Sequence, residues 1–291
     1  MQHSRRSTRC LVLAASLTAS FLMPLVVMAQ EIDAPSSFGA DDYSAASTVV
    51  SRFSPIKKPW DITIGGGLAD RPTYQGSDRH VVSPVPFVSV TYNDMISLGA
   101  NGLSAYWRHD DFRIGGGLTY GAGRRDTKQS GIFVHGDDRL QGMGNINRAL
   151  GVRAFAAYRL GPVVLDGSVT KLTASNNDGV FANLGMSVRY RVTDRLTLIP
   201  HAGTTWANQS YMQTHFGVTP TQAANTSFSQ FNANSGLKDV GAGINGIYAF
   251  DQHWFVGAFA NVIKLKGDAA KSPITFSDTN TTVMAMVGYR F

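Results

Sequence analysis

The chain has 291 residues, with 26 Lys and Arg against 20 Asp and Glu. Arg5, Arg6 and Arg9 fall in a first stretch of 29 residues that holds no acid, which leaves 23 bases against 20 acids over the rest. So small and diffuse an excess excludes a nucleic-acid binder, which gathers its charge on one face. A single Glu (Glu31), 16% charged residues, 30 Gly and 10% aromatics exclude a helical domain and favour strands joined by tight turns.

Residues 1–29 read as a secretory leader. Arg5, Arg6 and Arg9 form the basic start, Leu11 to Val27 the apolar core, and Val27-Met28-Ala29 places small residues for cleavage after Ala29. An uncleaved anchor is the alternative; Ser16, Thr18, Ser20 and Pro24 weaken it. The only cysteine, Cys10, precedes the apolar core, so nothing after residue 29 supplies a thiol for a disulfide, catalysis or a metal. Gln30 to Pro59 is rich in Ser, Ala, Pro and Asp without a sustained period, which predicts a flexible periplasmic segment.

From Trp60 to Phe291 the period is two. Ile62, Ile64 and Leu68 alternate with Asp61 and Thr63; Phe112, Ile114, Leu118 and Tyr120 with Arg113 and Thr119; Val152, Ala154, Ala156 and Tyr158 with Arg153 and Arg159. Val180, Leu184, Met186 and Val188 stand against Asn183, Ser187 and Arg189, and Val240, Ile244, Tyr248 and Phe250 against Gly241, Gly243 and Asn245. Strands are expected near 60–68, 82–92, 95–100, 103–108, 112–120, 151–160, 163–173, 179–191, 195–206, 238–250, 253–265 and 281–291. Asn101-Gly102, Gly161-Pro162, Thr193-Asp194 and Asp251-Gln252 read as tight hairpin turns. That makes twelve strands; reading 95–108 as one strand breaks the up-and-down parity, and ten is the alternative count. The tight turns at Asn93, His109–Asp111, Gly161, Thr193 and Asp251 share one end with both termini, and most of the long loops, 69–81, 121–150, 207–237 and 266–280, fall at the other, the habit of an outer-membrane barrel.

The fold class is therefore all-β: a transmembrane antiparallel up-and-down barrel over residues 60–291. Trp60, Tyr92, Trp107, Tyr120, Tyr190, Trp206, Tyr248, Trp254 and Tyr289 crowd strand ends, where two aromatic girdles are expected. Arg113, Arg153, Arg159 and Arg189 would face a polar lumen. In a soluble sandwich, the competing fold, they would face solvent. The last strand ends in Tyr289-Arg290-Phe291, similar to the terminal signal of outer-membrane barrels.

Several segments carry a family resemblance. Arg71-Pro72-Thr73-Tyr74-Gln75-Gly76-Ser77-Asp78 resembles the P-x-Y-x-G-S loop of the MltA-interacting protein family, also called MipA/OmpV. Gly121 to Arg124 and Leu140 to Ile146 are similar to its Gly-Arg and L-x-G-L-G-D-I segments. Thr205 to Asn208 with Tyr211-Met212 and Phe216 to Val218, then Leu265 to Ala269 with Ser272 to Ile274, follow in the family's order. Asn145 and Asn208 stand where the pattern has Asp. The resemblance implies an outer-membrane barrel acting as a non-enzymatic scaffold for a lytic transglycosylase and a bifunctional murein synthase. For these loops, the glycines Gly76, Gly123, Gly142, Gly217 and Gly267 are expected at bends, and Tyr74, Trp206 and Tyr211 as interface anchors.

Other chemistry reads weakly. Gly241 to Gly246 spells G-x-G-x-x-G inside a strand, where no helix follows to meet a pyrophosphate. Ser168 and Lys171 of an S-x-x-K lie three apart, on opposite strand faces. The seven histidines lack metal-site spacing, although His201 is expected to face inward. Ser77, Asp78 and His80 form the one conceivable hydrolytic cluster. No catalytic, cofactor or metal residue is assigned, and the expected partners are membrane lipid and the murein enzymes, not nucleic acid. The alternatives to a scaffold are a narrow pore lined by Arg113, Arg153 and Arg189, an adhesin working through loops 121–150 and 207–237, and a barrel hydrolase.

Overall fold

The computed structural model describes residues 59–100, 102–128 and 136–291. The leader, its cleavage site, the segment to Lys58 and Asn101 of the expected turn lie outside them. Strands are β1 (Trp60–Pro72), β2 (His80–Tyr92), β3 (Ile96–Gly99), β4 (Gly102–His109), β5 (Phe112–Gly121), β6 (Ala149–Leu160) and β7 (Val163–Thr173). They continue with β8 (Gly179–Val188), β9 (Tyr190–Arg191), β10 (Leu196–Ala207), β11 (Gly236–Ala249), β12 (Trp254–Leu265) and β13 (Thr279–Arg290). β9 carries β8 onward past Arg189, whose N–H turns to the Pro162 carbonyl, and both pair with β10. The wall thus has twelve strands. Neighbours in sequence are antiparallel neighbours in space, and β13 pairs with β1 from Thr63↔Arg290 to Asp70↔Val283, closing the ring.

Closure is reinforced at the short-turn end, where Arg290 grips Asp61 through two hydrogen bonds of 2.7 and 2.6 Å. The tight turns use left-handed backbone: Asn93, Asp94, Asp110 and Gly161 all have φ between 49° and 61°. β1 runs to Pro72, four residues beyond the expected end at 68, because Ala69 and Arg71 still turn inward and pair with β2.

Period two sorts the side chains as expected. Ile114, Leu118, Val152, Leu165, Val169, Leu184, Ile244, Val262, Val283 and Val287 all stand exposed on the outer face. An apolar band on strand after strand is a surface for hydrocarbon, not water. Thr63, Ser83, Ser168, Thr170, Asn183, Thr205, Asn245 and Asn280 are buried inside. Arg113 and Arg153 do face the interior, where Arg113 lies 5.3 Å above the Tyr106 ring and both guanidiniums flank Phe155.

Two expectations are corrected. The interior is not polar throughout: Phe87, Ile199, Ile247, Ala249, Phe255, Phe259 and Met286 pack into one buried apolar cluster on the side lined by β10–β13 and β2. Glycines make room for it. A Cβ on Gly65 would overlap the Phe87 ring, and one on Gly288 the Phe255 ring. The aromatics also form one girdle, not two. Trp60, Tyr92, Trp107, Tyr190, Tyr248, Trp254 and Tyr289 gather at the short-turn end, with Trp60 on Tyr92 at 4.6 Å. Trp206 is exposed toward the other end, and Tyr120, on the same strand face as Ile114 and Leu118, donates its hydroxyl to the Ala100 carbonyl.

Candidate functional site

The long loops fold into a cap at their end of the barrel, and the family-like segments meet there. Residues between β10 and β11 form α1 (Gln209–Phe216) and α2 (Pro220–Asn225), and residues after β12 form α3 (Gly267–Lys271). Asn208 caps α1, its Oδ1 accepting from the N–H groups of Tyr211 and Val180. Thr219 and Gln222 form a reciprocal capping box around Pro220 at the start of α2. Asn145 likewise accepts from the Asp126 N–H. Both Asn residues that stand in place of Asp therefore do backbone capping, which needs an oxygen acceptor and no charge.

Under these helices Tyr74, Leu140, Met143, Val218 and Ile274 form one buried cluster, and Ala207, Met212, Phe216, Ala233, Leu265 and Ala269 another. Tyr74 is 4% exposed, with its hydroxyl donating to the Ile274 carbonyl at 2.9 Å. It anchors the cap interior rather than the membrane interface, and burial drives its phenol pKa well above the ordinary range. Gly76 (φ +100°) and Gly142 (φ +93°) occupy bends closed to most residues. Gly217 has an ordinary φ and is needed for space against Gln213.

A polar knot ties the β1–β2 loop to the turn at Asp138–Leu140. Asp137 accepts from Arg139 through Nε and Nη2 (3.1 and 2.8 Å), from Arg79 Nη1 (3.1 Å) and from Thr73 and Ser77 (2.9 and 3.3 Å). Burial opposes its charge, yet these donors hold its pKa down to about 2. Arg139 also reaches Asp78 and lies 4.1 Å from the Phe276 ring centre. Every carboxylate lone pair thus has a donor, and Ser77 has no imidazole among its hydrogen bonds. His80 pairs instead with Asp70 at 3.0 Å, so the conceivable Ser77–Asp78–His80 cluster does not assemble.

Deeper in, a bulge opposite Thr205 and Trp206 turns both Lys238 and Asp239 inward. Lys238 Nζ lies 2.9 Å from Asp239, 3.1 Å from Gln75 and 5.7 Å from the Tyr211 ring centre. His215 stacks on Tyr211 at 4.3 Å, and Arg124 donates to its carbonyl. Asn177 gives both amide hydrogens to the Ala122 and Asn147 carbonyls. Its Oδ1 therefore accepts from His215 Nε2, which fixes the neutral tautomer. Desolvation, with Arg124 and Lys238 adding to it, pushes this imidazole down to about 3.

The remaining motifs lie as their spacing implied. Gly241 to Gly246 sit within β11, and Ser168 is buried while Lys171 is exposed and pairs with Asp178 at 2.7 Å. His201 hydrogen-bonds the Ile199 carbonyl from inside β10. Among the described residues, no group of three or more His, Cys, Asp or Glu is placed to hold a metal. Asp137, Arg139, Lys238, Asp239 and His215 were not singled out from sequence; the Thr219-Pro220-Thr221-Gln222 capping signature was the one legible sign that loop 207–237 folds.

A closed antiparallel ring with an apolar outer band, short turns at one end and folded loops at the other defines a transmembrane β-barrel of the outer membrane. The family model "MltA-interacting protein MipA" matches residues 64–291, and the chain belongs to that family. No curated protein matches it. Among solved structures it is similar to a bacterial polysaccharide outer membrane secretin (11% identity over 81% of this chain and 99% of that one, TM-score 0.41). It is also similar to the CymD monoaromatic hydrocarbon channel (10%, 84% and 92%, TM-score 0.40) and to Salmonella typhi OmpF in complex with daunomycin (10%, 80% and 97%, TM-score 0.38).

Proposed function

We propose that this barrel is a non-enzymatic scaffold that holds murein-remodelling enzymes, a lytic transglycosylase and a bifunctional murein synthase, at the inner surface of the outer membrane. The family match carries this reading, since the family's own description is of a protein that interacts with MltA. The contact face would be Gln30–Pro59, freed by cleavage after Ala29, together with the short turns at Asn93, Asp110, Gly161 and Asp251. An interior partly filled by its own side chains supports a structural role over transport. Crosslinking in intact envelopes followed by capture of the barrel tests it. Enrichment of a transglycosylase or synthase that falls when residues 30–58 are deleted is expected; recovery of neither enzyme above background overturns it.

A further inference from the structure

One part of the wall is too low to cross a bilayer. β3 has four residues and β4 eight, against thirteen in β1 and β2; a spanning strand needs about nine to eleven. β2 meets β3 only through Val90, Thr91 and Tyr92, so from His80 to Ser89 its second edge has no strand beside it among the described residues. On the far side β5 pairs with β4 only up to Leu118. The wall is notched above the β3–β4 turn.

The backbone at that notch is adapted to stay unpaired. Hydrogen bonds from Thr73 N to Arg79 O and from Asn93 N to Pro59 O bracket the β1–β2 ladder and set its alternation. Odd-numbered residues of β2 turn toward β1 and even-numbered ones toward the notch. Pro84 and Pro86 are both even, so at two positions the open edge has no N–H to leave bare in hydrocarbon and none to offer an incoming strand.

Behind the notch lies the apolar part of the interior. Phe87 and Val85 face inward from β2, and Ala100 and Met284 pack against the Phe87–Phe255–Met286 cluster. Outside, the rim is Val82, Val88, Leu103 and Leu118, all exposed, and beneath it a groove of about 520 Å³ runs past Tyr92, Met95, Ile96, Trp107 and Ile114. Tyr120, through its bond to the Ala100 carbonyl, holds the hairpin tip in place.

We propose that this notch is a lateral portal, through which the acyl chain of a surrounding membrane lipid enters the barrel interior from the side. This goes beyond the scaffold reading and does not depend on it. The test uses the full-length folded protein in phosphatidylcholine vesicles doped with a phospholipid that carries a diazirine in its acyl chain. After irradiation, peptide mass mapping is expected to find label on inward-facing Phe87, Met284 or Met286 as well as on outward-facing Val82, Val88 and Leu118. Ala100→Trp, which fills the notch, is expected to remove the inward label and spare the outward one. Tyr120→Phe releases the hairpin tip and is expected to raise the inward label about fivefold, the effect of one lost hydrogen bond; it serves alone if Ala100→Trp does not fold. Outward label without inward label in the unaltered protein overturns the proposal. So does inward label that neither substitution changes, or that is equally strong at Ser168 and Thr170 across the barrel.

Discussion

Two buried side chains make the cap sensitive to acid over different pH ranges. Asp137 is held down to about 2, below its ordinary 3.8, so its contribution is complete above pH 3.8 and lost only as the pH falls through 2. His215 is neutral when buried, pushed down to about 3, and returns to 6.5 when the cap opens. Its contribution is therefore complete above pH 6.5 and lost as the pH falls toward 3, by about 2 kcal/mol at pH 5. Hydrogen exchange of the cap in detergent should show protection dropping between pH 6.5 and 4. His215→Phe should flatten that drop, while Asp137→Asn should leave its slope unchanged. Asp137→Ala, which strands Arg139 without its main partner, should cost the cap roughly 2–3 kcal/mol at pH 7 while the barrel stays intact. Unaltered exchange near Arg139 would show that the polar knot does not hold the cap.

At the scale of elements, the first and last strands close the ring through β1–β13 pairing and the Asp61–Arg290 bridge. Arg290→Ala and Asp61→Ala should each lower the temperature at which the barrel loses resistance to dodecyl sulfate, by the equivalent of about 1–3 kcal/mol. The double variant should lose little more than either single one, because each removes the same bridge. The strands were legible because outward-facing Val and Leu repeat at period two, and the turns because Gly161-Pro162, Thr193-Asp194 and Asp251-Gln252 interrupt that period. The cap was not legible in the same way. α1, α2 and α3 have eight, six and five residues, too few for an apolar stripe to declare itself, and their burial depends on contacts such as Tyr74 to Ile274, 200 residues apart. The buried side of β2 was also hidden: in His80–Tyr92 both parities carry apolar residues, so Val85 and Phe87 read no differently from the lipid-facing Val82 and Val88.

For the whole molecule, the packed cluster around Phe255 and the cap over the far end leave little room for a water column. Purified protein in planar bilayers should be electrically silent; steady single-channel steps would favour a pore along the side of Arg113 and Arg153. More basic is the orientation of the wall itself, greasy side to lipid, which β7 reads residue by residue. Single cysteines at Leu165, Asp166, Ser168, Val169 and Thr170, carrying a small fluorophore, would be exposed to nitroxide-labelled acyl chains. Strong quenching at 165 and 169 with weak quenching at 166, 168 and 170 is expected from their outward and inward positions. Uniform quenching along the segment, or none at 165 and 169, would contradict a wall that spans the bilayer.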